Sequence, residues 1–296
     1  MKLLSLIILT YNSEKDIYDC LKSVYQYNDI GDGLEIIIVD NNSRNYTEMY
    51  DTIKSLYPDV KIIANDRNGG YGQGNNVGIR TASASVVSIM NPDVRLIMPT
   101  FKLMLESLQD EKVIMCGGKQ YKNENSPVSS FKFSCHKSGI YHSIGLNLCH
   151  RHDKYLYRHM WLQGAFFAIK KEFFEQIGLF DETIFMYGEE FDIHTRLRKH
   201  FPQKEIVFLK DLHYLHLIEE RVMTEKSLYA PLRSEILVCQ KHKYSIKKYI
   251  FEQKVANMIN WCMMLILFVF KHRPYTSESY HIVKNVLCTL EKEFIK

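Results

Sequence analysis

Short apolar runs along this chain alternate with stretches in which apolar residues recur at helical spacing. Residues 3–9 form a run of the kind expected of a strand covered on both faces. Ser13 then offers an N-cap, and Ile17, Leu21 and Val24 fall on one helical stripe. Residues 35–39 read as a second strand ending at Asp40, and residues 46–57 as a helix stopped by Pro58. A third strand at 60–64 leads into the Gly- and Asn-rich stretch 67–76, read as a loop, and then into a short helix at 77–82. Val86–Met90 is the fourth strand, running into Asn91-Pro92-Asp93. Strand–helix alternation with short connections predicts a parallel sheet with right-handed crossovers. Ligands of such sheets sit at the carboxyl ends of the strands. Thr10, Asp40 and Asp93 all fall at such ends, and therefore on one rim.

The middle of the chain is less regular. Residues 117–158 are rich in Lys, His, Ser and aromatics without a clear period, and read as loops and short strands on the acceptor side. Residues 161–169 read as a strand and 171–177 as a helical turn or two capped by Gly178. A helix over 189–200 places Glu189, Asp192 and Arg196 on one face. After about residue 228 the tail is helical and basic. Within 255–270 the dense apolar run 263–270 is flanked by Lys254 and by Lys271, His272 and Arg273. This run is shorter than the roughly 20 residues of a membrane span. It suits an interfacial helix or a buried core or dimer helix, and both readings stay open.

With 296 residues and 46% apolar content, the chain buries a real core in one large domain or two small ones. A net charge of +4 makes no case for nucleic acid as the main partner. Seven scattered cysteines without a CxxC pair point to reduced thiols in a cytosolic protein and away from structural zinc. The N-terminal apolar stretch has no small-residue cleavage site and runs straight into Thr10-Tyr11-Asn12, so it is read as a strand and not as a signal peptide.

Several positions carry chemistry. A carboxylate at a strand end, such as Asp40, accepts hydrogen bonds from a nucleobase imide or ribose hydroxyl, or else serves as a turn acid. The four glycines within 67–76 suit amides exposed to phosphate, although neither GxxxxGK[ST] nor a GxGxxG after the first strand is present. Asn91-Pro92-Asp93 fixes one carboxylate after a strand; a hard cation needs no more than one or two when a diphosphate supplies the rest. The competing reading is a plain turn. Glu189, Glu190 and Asp192 crowd three negative charges into four positions. Their repulsion suits one acid with a raised pKa that takes a proton from a sugar hydroxyl. The bland alternative is a solvated acidic helix start. His213 and His216, after a strand at 205–209, and Arg233 on a later helix are weaker candidates for metal or diphosphate.

The order Leu6-Ile7-Ile8-Leu9-Thr10-Tyr11-Asn12, Ile38-Val39-Asp40-Asn41-Asn42-Ser43, Asn68-Gly69-Gly70-Tyr71-Gly72-Gln73-Gly74-Asn75-Asn76-Val77-Gly78, Asn91-Pro92-Asp93 and Gly188-Glu189-Glu190-Phe191-Asp192-Ile193 resembles family 2 glycosyltransferases, most nearly their rhamnosyltransferase-like subgroup. The resemblance covers roughly residues 3 to 240. It implies an α/β GT-A fold: a Rossmann-like, mostly parallel central sheet flanked by helices, with a C-terminal helical extension. Residues 1–225 would form the catalytic domain, 1–115 its nucleotide-sugar half and 116–225 its acceptor half, and 226–296 the extension. The implied activity is inverting transfer of a sugar from dTDP-rhamnose or a UDP-hexose to a glycan or lipid-linked glycan hydroxyl, in bacterial surface polysaccharide synthesis. It implies a divalent metal, Mg²⁺ or Mn²⁺, as cofactor; the cysteine usage adds a cytoplasmic location, and the composition of the tail a peripheral contact with the inner face of the membrane through 255–270.

By position, the resemblance puts Thr10 and Asp40 on the nucleoside, with Arg67 and Asn68 near it. Tyr11, Asn12, Asn42, Gly69, Asn75 and Asn91 complete the donor-binding set. Asp93 stands where the last acid of the DxD motif chelates metal and diphosphate, and His216 matches a histidine near the diphosphate. Glu190 stands at the base, within a Glu-Glu pair where the family has Glu-Asp, and Asp192 is the second candidate base. Two rivals are a sugar-1-phosphate nucleotidyltransferase and a non-catalytic protein docked on a membrane. The first calls for a Gly-rich basic loop after the first strand, where this chain has Thr10-Tyr11-Asn12-Ser13-Glu14.

Overall fold

The computed structural model describes residues 1–123, 125–134, 145–217, 222–271 and 277–295, so Cys135, His272 and Arg273 lie outside the described residues. In chain order the elements are β1 (Leu4–Thr10), α1 (Glu14–Gln26), β2 (Leu34–Asp40), α2 (Tyr46–Leu56), β3 (Lys61–Ala64), α3 (Gly70–Thr81), β4 (Val86–Met90), β5 (Val94–Leu96), α4 (Phe101–Gln109) and β6 (Val113–Asn123). There follow β7 (Ser126–Pro127), β8 (Phe131–Phe133), α5 (Leu146–Arg151), β9 (Met160–Leu162), β10 (Phe166–Lys170), α6 (Lys171–Gln176), α7 (Glu189–His200), β11 (Glu205–His216), α8 (Glu225–Lys241), α9 (Ile246–Lys271) and α10 (Glu278–Phe294). The chain divides into two compact units, Met1–Ser130 with Leu162–Glu219, and Phe131–Trp161 with Glu220–Lys296.

The first unit is built on a mixed, mostly parallel sheet in the order β3-β2-β1-β4-β10-β6-β11-β5, with β7 beside β6. The first four strands in sequence run parallel. Reversed β10 separates them from the parallel pair β6 and β11, and β5 closes the far edge antiparallel to β11. β2 and β4 are buried along their whole length, which is why their sequences are mostly apolar; the exceptions inside them are bonded, Glu35 to Lys61 and Ser88 to Phe167 O. β3 lies at the edge and is half exposed.

The Gly- and Asn-rich stretch is not a loop beyond residue 69: it is the first half of α3. Its glycines serve close packing on the sheet. A Cβ at Gly74 would meet Leu9 Cδ1 at 2.3 Å, and one at Gly78 would meet Ile7 Cγ2 at 2.6 Å. The expectation of a phosphate-cradling loop is corrected accordingly. Two strand bounds also change. The predicted 161–169 strand is broken into β9 and β10 by Gln163-Gly164-Ala165, and β11 continues to His216, so His213 and His216 lie on the strand and not after it. Residues 113–123, mostly without a legible period, form the long central strand β6.

In the second unit α8 starts at a reciprocal capping box between Thr224 and Ser227. Arg233 is engaged there with Glu293 at 2.9 Å. α9 is long, and the 18-residue window that makes it apolar enough for a membrane is only 6% buried, so the buried-core reading of 255–270 does not hold within this chain. The described cysteines are all free thiols.

Candidate active site

The rim predicted from strand ends exists in the first unit. Thr10 and Asp40 end the neighbouring strands β1 and β2, in register with each other. The Thr10 hydroxyl donates to Asp40 Oδ1 at 3.0 Å. Ser43 donates from its hydroxyl to Oδ1 at 2.6 Å and from its amide to Oδ2 at 2.8 Å. Asp40 is 1% exposed, so its carboxylate staples the two loops from inside. Asn12 and Asn42 both take left-handed backbone, φ 50° and 65°, which asparagine tolerates. The Asn12 amide donates to Ser43 Oγ at 2.7 Å, and its side-chain oxygen accepts from the Arg44 amide at 3.0 Å. Tyr11 and Asn42 remain exposed on top of this braced pair of loops.

The next stretch is an amide network. Asn41 donates to Asn68 Oδ1 at 3.0 Å and to Gly70 O at 3.1 Å, and accepts from Asn65 at 2.8 Å. Asn68 Oδ1 also takes the Gly70 amide at 3.1 Å, which fixes the start of α3 just after Gly69. Asn75 is fully buried in that helix and donates to Tyr71 O, while its Oδ1 has no partner. Arg67 is exposed and within electrostatic reach of Glu182.

Tyr71 joins this side to the acidic helix. Its hydroxyl lies 3.2 Å from Asn91 Oδ1 and 3.1 Å from Gly164 O. The Gly164 amide donates to Glu190 Oε1 at 3.1 Å. The Asn91 amide donates to Ala165 O at 2.8 Å, so the end of β4 and the Gln163-Gly164-Ala165 break are tied together twice. Burial first, then the charges of Glu190, Glu189 and Asp93, raise the Tyr71 pKa well above the usual tyrosine value. One hydroxyl thus feels all three carboxylates. Gly164 is required by this contact, because a Cβ there would meet Glu190 Oε1 at 2.4 Å.

α7 presents its acids differently from one another. Gly188, φ 91°, starts the helix after Tyr187, φ 71°. Glu189 is 4% exposed, and its Oε1 has no hydrogen-bond partner. Desolvation, followed by repulsion from Glu190, pushes its pKa up to about 8. Asp192 is fully buried and held by Arg196, whose Nε donates to Oδ2 at 2.8 Å and whose second nitrogen lies 2.6 Å from it. Arg196 also donates to Ile177 O at 2.6 Å. His194 is locked in one tautomer: the Leu162 amide donates to Nε2 at 3.1 Å, so Nδ1 carries the proton facing Glu190 O at 2.6 Å. Burial, then Arg198, pushes its pKa down to about 3, so it stays neutral.

Asp93 follows β4, and its Oδ2 lies 3.4 Å from His216 Nε2 at the end of β11. The Leu217 amide donates to Asp93 O at 2.9 Å, which holds the two segments together. Gln120 on β6 orients the imidazole. Its amide nitrogen donates to Ser129 O, which leaves its oxygen to accept from His216 Nδ1 at 3.0 Å. In the neutral form of the ring this hydrogen bond leaves Nε2 unprotonated and facing a carboxylate oxygen, and in the charged form the two groups are an ion pair. Two acceptors facing each other at that spacing fit a shared cation. No group of three or more His, Cys, Asp or Glu side chains suited to a metal exists among the described residues, so a cation here would need ligand oxygens or water beside this pair. His213 points elsewhere, with its ring 5.3 Å from that of Tyr121 and its Nε2 2.9 Å from Lys210 O.

The structure therefore gathers Asn91, Asp93 and Glu190 around Tyr71, braces Thr10, Asn12 and Asp40 on the adjoining strand ends, and encloses Asp192 in an ion pair. Tyr71, Gly164, Gln120, Glu189 and His194 belong to the site and were not assigned from sequence. Tyr71 and Glu189 lay inside quoted motifs. Gln120 and Gly164 carried no local signal, because their partners are 96 and 26 residues away.

The profile described as Glycosyl transferase family 2 matches residues 5–178 of this chain. The low-salt glycan biosynthesis hexosyltransferase Agl10 of Haloferax volcanii is 28% identical over 203 residues, 66% of this chain and 62% of that protein. The glycosyltransferase GlyG of Streptococcus pneumoniae serotype 4 is 24% identical over 224 residues, 73% of this chain and 70% of that one. The match thus spans a little under two thirds of the first relative's length. Among solved structures, the mannosyltransferase PcManGT from Pyrobaculum calidifontis, in complex with GDP-Man and Mn²⁺, superposes with a TM-score of 0.67 over 99% of this chain and 87% of that one, at 13% identity. GalNAc-T7 with UDP, GalNAc and Mn²⁺ gives 0.63 over 99% and 56%, at 15% identity. At such identities the likeness is one of fold, and the fold is GT-A.

Proposed function

The chain belongs to glycosyl transferase family 2, and from that premise and the site's geometry we propose that it is an inverting glycosyltransferase acting on a nucleoside-diphosphate sugar. The observation that carries this reading is the Tyr71 hydroxyl between Asn91 and Gly164, with Glu190 held on the Gly164 amide. It brings the donor rim and the acidic helix to one point.

Thr10 and Asp40 brace the loops from below, and Tyr11, Asn12 and Asn42 face the nucleoside. Arg67, Asn68, Gly69 and Asn75 line the donor side, and Asn91 anchors Tyr71. Asp93 and His216 hold Mg²⁺ or Mn²⁺, which neutralises charge on the departing diphosphate when bound. Glu190 is the base: it takes the proton of an acceptor hydroxyl, whose oxygen bonds to the anomeric carbon as the bond to diphosphate breaks and its electron pair leaves on phosphate. Asp192 is the weaker candidate, because an acid paired with Arg196 in the interior is stabilised as an anion and has little tendency to accept a proton. Burial favours the neutral form of Glu189, while the Gly164 amide that bonds Glu190 favours the charged form of Glu190. His194 holds the backbone of α7 against Leu162 and moves no proton.

Residues 1–115 supply the donor half of the catalytic unit, and its acceptor half comes from the rest of the same compact unit, 116–130 and 162–219. dTDP-rhamnose, UDP-hexoses and GDP-mannose are the donor candidates. A surface or lipid-linked glycan is the acceptor, reached from the cytoplasm. The test is release of nucleoside diphosphate from this donor panel, with Mn²⁺ and with EDTA. One donor turned over only with metal is the expected result. Release from none, alongside formation of pyrophosphate from a nucleoside triphosphate and a sugar 1-phosphate, would place the chain with the nucleotidyltransferases instead.

A further inference from the structure

The second unit carries its own surface, independent of the transferase reading. α10 packs antiparallel along the first part of α9. Lys254 pairs with Glu291 at 2.6 Å, Asn257 donates to Tyr280 O at 3.0 Å, and the rings of Trp261 and Tyr280 lie 5.2 Å apart. α10 begins at Glu278, close to the level of Trp261, so the last turns of α9 run on past it. Those turns expose Met263, Ile266, Phe268, Val269 and Phe270, with Phe270 at 78%. At about 100° per residue the stretch from Trp261 to Phe270 covers every side of the helix, and none of its residues is buried.

A protein groove covers one side of a helix. Side chains exposed all round call for a medium that surrounds them, which is what hydrocarbon supplies. Charge points the same way. Residues 131–161 and 220–296 contain 18 Lys and Arg against 8 Asp and Glu, a net of +10 in a chain whose total is +4. The remainder of the chain is therefore acidic at −6, and the basic charge is concentrated in the unit that bears the exposed apolar helix end. A basic unit with an apolar tip is complementary to an anionic lipid surface.

We propose that the distal end of α9, from Cys262 to Phe270, inserts into one leaflet of an anionic membrane and docks the second unit there. The helix does not cross. α10 pairs with α9 only as far as Trp261, so the free stretch from Cys262 to Phe270 is far shorter than the roughly 20 residues a span needs. Insertion is shallow, about 5–10 Å into the headgroup and acyl boundary.

The test is flotation of the full chain with vesicles of phosphatidylcholine alone and of phosphatidylcholine with phosphatidylglycerol at about 3:1. The expected result is co-flotation with the anionic vesicles that weakens with salt, and at least a tenfold loss for the combined Ile266→Asp, Val269→Asp and Phe270→Asp variant. All three side chains are exposed, so the variant's melting temperature should match the parent's. Equal flotation of variant and parent would show simple charge adsorption and overturn the proposal. So would no flotation of the parent, or a parent that sediments as a dimer which the same substitutions dissolve, because the apolar tip would then belong to a second copy.

Discussion

Replacing Glu189 with Gln should stabilise this protein, and should do so only above the ordinary carboxylate range. The carboxyl is 4% exposed, one oxygen has no partner, and its pKa is raised from 4.5 to about 8. A carboxyl whose folded pKa lies above its unfolded pKa costs nothing below pH 4.5, where both states are protonated. As pH rises from there towards 8, the unfolded chain releases its proton more readily than the folded one, and stability falls. The limiting slope is about 1.4 kcal/mol per pH unit, so the ceiling at pH 7 is ~3 kcal/mol. Sharing of the charge between Glu189 and Glu190 reduces it, and about 1–3 kcal/mol is expected. Glutamine keeps the shape and carries no charge. Urea unfolding of parent and Glu189→Gln in EDTA, at half-unit steps from pH 4.5 to 8, should show curves that coincide at the acid end and diverge steadily in favour of glutamine. Turnover of the variant should stay within about threefold of the parent's, because the mechanism uses this residue in its neutral form. A stability difference independent of pH, or a glutamine variant less stable throughout, would refute the burial argument.

Gly164→Ala should drive Glu190 off the Gly164 amide and lower donor turnover by at least tenfold while changing the melting temperature little, since the clash is with a side chain; paired kinetics and thermal scans check it. Tyr71→Phe removes the hydroxyl linking Asn91 and Gly164 and should cost about 1 kcal/mol of stability, with a larger fall in kcat than rise in KM. Asp192→Ala leaves the largely enclosed Arg196 with the Ile177 carbonyl as its partner and no counter-charge, and should cost about 3 kcal/mol, so its loss of activity should track its unfolding in a thermal melt. Added Mn²⁺ plus nucleoside diphosphate should raise the parent's melting temperature by mass action, and Asp93→Asn should abolish that shift.

The part of the fold legible in sequence was the part governed by local pattern. β1, β2 and β4 are covered on both faces, so their apolar runs announced them, and α7 was bounded correctly by Gly188 and its acidic first turn. α3 was misjudged because glycine signals both loop and close packing, and only the tertiary contacts of Gly74 and Gly78 with Leu9 and Ile7 decide between them. β6 was missed because a strand between two others in a mixed sheet, ending in Lys119, Gln120, Tyr121 and Lys122, has no period to display. In the site, Asp93 and Glu190 could be picked from motifs that sit at element ends. Tyr71, Gln120 and Gly164 act through partners distant in sequence, and no spacing rule reaches them. Spacing puts Asp192 and Arg196 on one face and marks Glu190 and Asp192 as candidate bases, but only burial separates the cluster into an Arg-paired Asp192, a raised acid at Glu189 and an amide-bound Glu190.

The base assignment is the most exposed claim, and Glu190→Gln tests it most directly. The measurement is metal-dependent release of nucleoside diphosphate, together with calorimetric binding of the intact donor in Mn²⁺. The expected result is a fall in kcat of about 10²–10⁴-fold with the donor Kd within about twofold of the parent's. Near-normal turnover, or a loss of donor binding as large as the loss of turnover, would contradict it.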